Sequence, residues 1–139
     1  MDESKIVEQI NAFCKNTLIE HLGIEFISAV KGKISAKMPV DSRTIQPYNL
    51  LHGGASLALA ESVASVGSSM LVDPETHGVV GLEVNGNHVG KATSGYVMAT
   101  ATLVHGGGRT HVWTVDIDDE RGRKIMVGRV TMMVVEKKP

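Results

Sequence analysis

Glu61 is the sole charge in the run GGASLALAESVASVGSSMLV, from Gly53 to Val72. The run is rich in Ala, Leu, Ser and Val, and its apolar positions fall on nearly all sides of a helical wheel. That pattern predicts a buried helix over 53–72. A carboxylate carried into such surroundings must be desolvated at considerable cost unless something compensates. Glu61 is therefore the first candidate for chemistry, as a nucleophile or a general base. The alternative is a Glu paired with a distant Lys or Arg, or one that reaches solvent at a groove. Ser65, four residues on, is placed to hydrogen-bond the Glu61 carboxylate or a water held by it; taken alone it is a small packing residue.

The second constellation is Gln46-Pro47-Tyr48-Asn49-Leu50-Leu51-His52-Gly53-Gly54, a Gln, a His and two glycines where a loop turns into that helix. Unpaired backbone N–H groups and the positive end of the helix dipole converge at such a point, which makes an oxyanion or anion site without a cationic side chain. Gly53 and Gly54 would let a ligand approach the backbone closely, or would merely allow a sharp turn. Gly53 and Glu61 lie about 12 Å apart along a helix rising ~1.5 Å per residue, so one small reacting group cannot touch both. If both serve one reaction, Glu61 must reach the amide end of a second, antiparallel copy of the helix, as a twofold dimer would arrange.

Other chemistries find little support. No GxSxG elbow is present, so a serine hydrolase mechanism of the α/β type lacks its nucleophile. Gly106-Gly107-Gly108-Arg109 lacks the GK[ST] ending of a P-loop and reads either as a hairpin turn or as an anion-binding turn. Six histidines occur, none in HExxH or in a close pair with carboxylates, and no metal or other cofactor is expected.

The elements that must position these residues follow from periodicity. Ile6, Ile10 and Phe13, with Val7 and Cys14 alongside, predict a short amphipathic helix from Ser4, the expected N-cap, to about Thr17. Residues 23–30 and then Ile34, Ala36, Met38 and Val40 alternate around Lys31-Gly32 and predict a hairpin. A polar loop over 41–51 leads to the long helix. Four β-like runs follow, at 79–89, 95–105, 110–118 and 124–136. In the third, Trp113, Val115 and Ile117 share one face that can pack on the helix. The class expected is α+β, with a curved antiparallel sheet wrapped around one long central helix in a single domain over 1–139, the first 22 residues being an N-terminal helix and lead-in. Two sheets are expected to join edge to edge through the 79–89 strand, with a dimer of dimers as a further step.

The segment QPYNLLHGGASLALAESVASVGS, followed by VVGLEVNGNHV, resembles the hotdog-fold thioesterases of the 4-hydroxybenzoyl-CoA and phenylacetate type. It is most similar to the bacterial 1,4-dihydroxy-2-naphthoyl-CoA enzymes, which points toward menaquinone biosynthesis, and to the proofreading enzyme of enterobactin synthesis. The similarity runs from about Leu22 to Val135 and includes MPVDSRT at Met38–Thr44. The resemblance implies an acyl-CoA substrate, carbonyl polarisation by Gly53 N–H with Gln46, His52 and Gly54 shaping that end, and Glu61 from the other subunit as the catalytic carboxylate. It also implies that His88 sits near the acyl group. Gly90 departs from the family, which has an Arg after the His-Val pair, so Lys91 is a candidate for the missing CoA contact; separately, the Gly106–Arg109 turn is either a plain hairpin loop or a place where Arg109 meets a CoA phosphate. A hotdog hydratase or dehydratase, or a non-catalytic acyl-CoA-binding module, are the rival readings; an intact Glu61 beside HGG fits hydrolysis better.

Composition agrees with this frame. With 42% hydrophobic and 21% charged residues and a net charge of -1, the chain has the make-up of an ordinary globular protein. Scarce aromatics and the lack of a basic run argue against nucleic acid. A lone Cys14, the absence of a secretory start and the absence of a long apolar span lead us to expect a cytoplasmic location without membrane contact.

Overall fold

The computed structural model describes residues 1–138. Two helices, α1 (Glu3–Phe13) and α2 (Leu18–His21), precede the hairpin β1 (Glu25–Val30) and β2 (Lys33–Pro39). The long helix α3 (Gly53–Ser69) follows, and then β3 (His77–His88), β4 (Tyr96–Gly106), β5 (Thr110–Asp119) and β6 (Lys124–Glu136). The six strands form one antiparallel sheet in the order β1-β2-β4-β5-β6-β3. The sheet curves around α3, which contacts all six strands. This is the α+β arrangement that the periodicity predicts, and it is the hotdog fold that the resemblance implies.

Helix α3 buries Ser56, Leu59, Ala60, Val63, Ala64, Gly67 and Ser68 against the sheet, residues spaced by three and four as one helical face requires. They meet Ile34, Met38, Val97, Trp113, Val115 and Ile117, all fully buried. The opposite face, at Gly54, Leu57, Ala58, Glu61 and Ser65, is open, and Glu61 itself is exposed. The expectation of a helix buried on nearly all sides is corrected here. Leu57 and Ala58 make the open face apolar too, so the wheel does not reveal which side the chain's own sheet covers. α3 also stops at Ser69, three residues before the expected Val72, where the Met70 N–H is shared between the carbonyls of Val66 and Gly67 and the helix tightens into a turn.

The N-terminal helix is capped by Asp2, whose carboxylate accepts from Lys5 N–H at 3.0 Å, and not by Ser4. Its Phe13, expected on the apolar face, is 90% exposed, while Cys14 takes the buried place and Ile6, Val7 and Ile10 pack against the core. Among the described residues no helix is long and apolar enough to cross a membrane.

A buried polar cluster ties α3 to β5. Ser68 Oγ accepts from Trp113 Nε1 at 2.8 Å and lies 2.9 Å from His111 Nδ1. Burial is the main cause that holds the His111 imidazole below its ordinary 6.5, with a smaller push the same way from His105 and an opposing one from the backbone at Gly107. A histidine with a lowered folded pKa leaves stability intact above its unfolded value and subtracts from it as the pH falls through that value. Thermal melts should therefore show a loss of stability below pH ~6.5 that is smaller in His111→Gln, and an identical acid slope in both proteins would refute this.

Candidate active site

The loop over 41–52 is held at both ends. Thr44 Oγ1 donates to Pro39 O at 2.7 Å, His52 N–H to Thr44 O at 2.8 Å and Leu51 N–H to Ala92 O at 2.9 Å. Between them Gln46 N–H donates to Leu50 O and Asn49 N–H to Gln46 O, with Asn49 in the left-handed region at φ 63. The Gln46 side-chain carbonyl accepts from Tyr48 N–H, which fixes the side chain and leaves its amide NH2 free to donate.

This loop delivers His52 as the N-cap of α3. A helix begins with N–H groups that have no intrahelical acceptor, and here they can be accounted for one by one. Ala55 and Ser56 donate to His52 O, and Gly54 N–H donates to His52 Nδ1 at 2.7 Å. Gly53 N–H alone has no partner among the described residues. His52 therefore selects which backbone donor stays free at the positive end of the helix. The His88 ring, at the end of β3, lies across Gly53 so closely that a Cβ there would stand 2.8 Å from His88 Nε2. Glycine at 53 is what lets the ring pack on the helix terminus.

Glu61 lies two turns further along α3, over the opposite stretch of β3. A Cβ on Gly81 would come within 2.9 Å of Glu61 Oε2 and 3.0 Å of its Cδ, so the carboxylate rests on the bare backbone of that strand. Ser65 lines the same cleft, as do Gly54, Leu57 and Ser62, but no hydrogen bond joins Ser65 to Glu61 among the described residues, and Ser62 donates to Ala58 O instead. No described cation pairs with Glu61 either, which distinguishes it from Asp41, held at about 2 by the Arg43 guanidinium at 2.6 Å.

The remaining candidates separate. His88, Gly53, Gly54 and His52 come together at one end of α3. Lys91 lines a polar cleft with Asp119, Arg121 and Arg123, one residue from the Ala92 carbonyl that anchors the loop. Arg109 lies beside His77 and Glu136, at the end of β3 remote from His88 in the same chain. Sequence reasoning missed Gly81, although a glycine inside a strand is a recognised sign of close approach by another group. It also missed α2, whose Leu18 and Ile19 line the Glu61 cleft.

A sheet curled around one helix, with an unpaired amide at the helix start and a carboxylate on its open face, is the build of a hotdog thioesterase. The Thioesterase superfamily profile matches residues 48–126, and the chain belongs to that family. A solved structure of a mutant thioesterase from Pseudomonas aeruginosa superposes with a TM-score of 0.92 at 45% identity, over 94% of both chains. The 1,4-dihydroxy-2-naphthoyl-CoA hydrolase of Escherichia coli is 42% identical over 129 residues, 93% of this chain and 94% of that protein. A protein of the same name from Listeria monocytogenes is 40% identical over 87% of this chain and 98% of its own length.

Proposed function

We propose that this thioesterase hydrolyses an aromatic acyl-CoA to the free acid and CoA, in sites each built from Gly53 of one subunit and Glu61 of another. The observation that carries this reading is the division of labour along α3: the free Gly53 N–H and the unpaired Glu61 carboxylate stand too far apart along one helix to meet one thioester. Gly53 N–H would stabilise the charge that develops on the thioester oxygen, a contribution of roughly 3 kcal/mol for a donor of this kind. The Gln46 amide and His88 would flank the same oxygen or the acyl group. Glu61 attacks the carbonyl carbon to give a mixed anhydride and release the CoA thiolate, after which water cleaves the anhydride. Alternatively it takes a proton from a water that attacks directly. Both routes end in carboxylic acid and CoA.

The assembly this needs is supported by β3, which pairs with β6 on one side only and leaves Val80 and Leu82 49% and 55% exposed. A long unpaired edge with apolar residues is a template for a second strand. The aromatic preference rests on the two relatives named as dihydroxynaphthoyl-CoA hydrolases and on the hydrogen-bonding groups His88 and Gln46, which a hydroxyaryl group can satisfy and an alkyl chain cannot. Turnover of hydroxybenzoyl-, hydroxynaphthoyl- and hexanoyl-CoA, followed with a thiol-trapping reagent, tests it. Higher kcat/KM on hexanoyl-CoA would overturn the aromatic assignment, and no turnover of any acyl-CoA would overturn the activity.

Gly81 supplies a sharper test of Glu61. Gly81→Ala should push the carboxylate off its resting place and lower kcat at least about tenfold with little change in KM, since small misplacements of a reacting group are costly. In a Glu61→Gln background the same change should cost nothing further. Equal losses in both backgrounds would mean that Gly81 matters only for the strand.

A further inference from the structure

The open face of α3 forms the floor of a cleft of about 470 Å³ whose walls come from two separate parts of the chain. Val84 of β3 and Leu18 with Ile19 of α2 line it together with Leu57 and Ala58 of α3, and Glu61 is the one charged group in the lining. Leu18 is the unusual member. Ile19 packs against the core and its carbonyl accepts from Ile24 N–H at 3.0 Å, but Leu18 is 63% exposed. Its position is nonetheless well defined. Asn16 turns the chain through the left-handed region at φ 63, Thr17 Oγ1 donates to Cys14 O at 2.6 Å, and Leu18 O accepts from Leu22 N–H at 3.0 Å. The fold thus holds an apolar side chain out of its own core and beside the catalytic carboxylate.

We propose that α2 is the acyl-selecting wall of this enzyme: Leu18, backed by Ile19, packs against the acyl group of the substrate whose thioester is cleaved at Glu61 of the same chain, and sets how much acyl bulk fits. The proposal rests on the thioesterase reading above and adds the residues that measure the substrate. The chemistry of the cleft names the part of the substrate it takes. Apart from Glu61 its lining is aliphatic or small hydroxyl and glycine, so an uncharged apolar group is favoured there and the phosphates of CoA are excluded by the lack of any cation and by the carboxylate itself. The polar cleft around Lys91 and Arg121 has the opposite character and lies apart from it.

The test is a comparison of wild type, Leu18→Ala and Leu18→Trp on straight-chain acyl-CoAs from butanoyl to dodecanoyl and on benzoyl-CoA, with free CoA as a competitive inhibitor. A single methylene in an apolar pocket discriminates by about tenfold or more, so Leu18→Ala should change the ratio of kcat/KM between the longest and shortest substrates at least about tenfold in favour of the longest, and Leu18→Trp should change it in the opposite direction. Inhibition by CoA should stay the same in all three. Leu18→Met serves where either variant fails to fold, with a smaller shift expected. An unchanged ratio in active, folded variants overturns the proposal, as does a shift in CoA inhibition equal to the shift in substrate preference, which would put Leu18 on the CoA end. A change in assembled mass with an unchanged ratio would make Leu18 an interface contact and overturns it equally. A wild type that cleaves no acyl-CoA would defeat the thioesterase reading itself, whereas an active, Glu61-dependent wild type with a flat response at Leu18 defeats the acyl wall alone.

Discussion

Glu61→Gln should lower acyl-CoA hydrolysis by at least about 100-fold, equivalent to roughly 2.7 kcal/mol of barrier, while the melting temperature and the assembled mass stay near those of the wild type. The substitution keeps the size and polarity of the side chain and removes only its charge and basicity. Stability should be nearly indifferent because the carboxylate is exposed in its own chain and has no described ion-pair partner. On the shared-site reading proposed above, the desolvation that the apolar helix suggests would come from the second subunit and the substrate covering the open face of α3. Glu61→Ala should behave alike, and turnover near the wild-type value in either variant would remove Glu61 from the mechanism.

Two inactive chains should restore one another. Gln46→Ala damages the amide end of a site and Glu61→Ala the carboxylate end. In a mixed dimer one site carries both defects and the other carries neither. A verified heterodimer should therefore recover about half the wild-type rate from a background lower by about 100-fold in each homodimer. Sites contained within single chains would give no recovery at all, so the result separates shared from unshared sites without any knowledge of the acyl group. The Gln46 variant is suitable because its side chain fixes a turn rather than the core; the loop remains tied by Thr44, Leu51 and His52.

Most of the architecture was legible from period alone. The sixth strand has the bounds expected of it, Lys124–Glu136, and the other five differ by a few residues, because alternation such as Trp113, Val115, Ile117 is unambiguous where one face is buried. The start of α3 was equally clear from the loop chemistry before Gly53. What the pattern could not show is which side of an all-apolar helix its own sheet would cover, since Leu57 and Ala58 look no different from Leu59 and Ala60. The four-residue α2 is too short to impose a period, so the wall it builds beside Glu61 had no signal. At the site, the residue types were legible and their division was not. That His52 uses its ring to take Gly54 N–H, and so leaves Gly53 N–H free, depends on a side-chain rotamer no spacing encodes. The two close approaches, His88 on Gly53 and Glu61 on Gly81, arise between α3 and β3 and exist only once those elements are folded together.

The cluster of Ser68, His111 and Trp113 has a practical side. Trp113 is the one tryptophan of the chain, fully buried, hydrogen-bonded through its indole N–H and carried by β5 against the C-terminal end of α3, away from the Gly53 end of that helix and outside the lining of the Glu61 cleft. The intrinsic fluorescence of the protein therefore reports on a single indole in a single environment. Its emission should sit at short wavelength in the native state and move to long wavelength when helix and sheet part, and it should scarcely respond to an acyl-CoA in the site. Every variant discussed above except Leu18→Trp, which adds a second indole, can thus be checked for folding by this emission before substrate is added and its turnover measured.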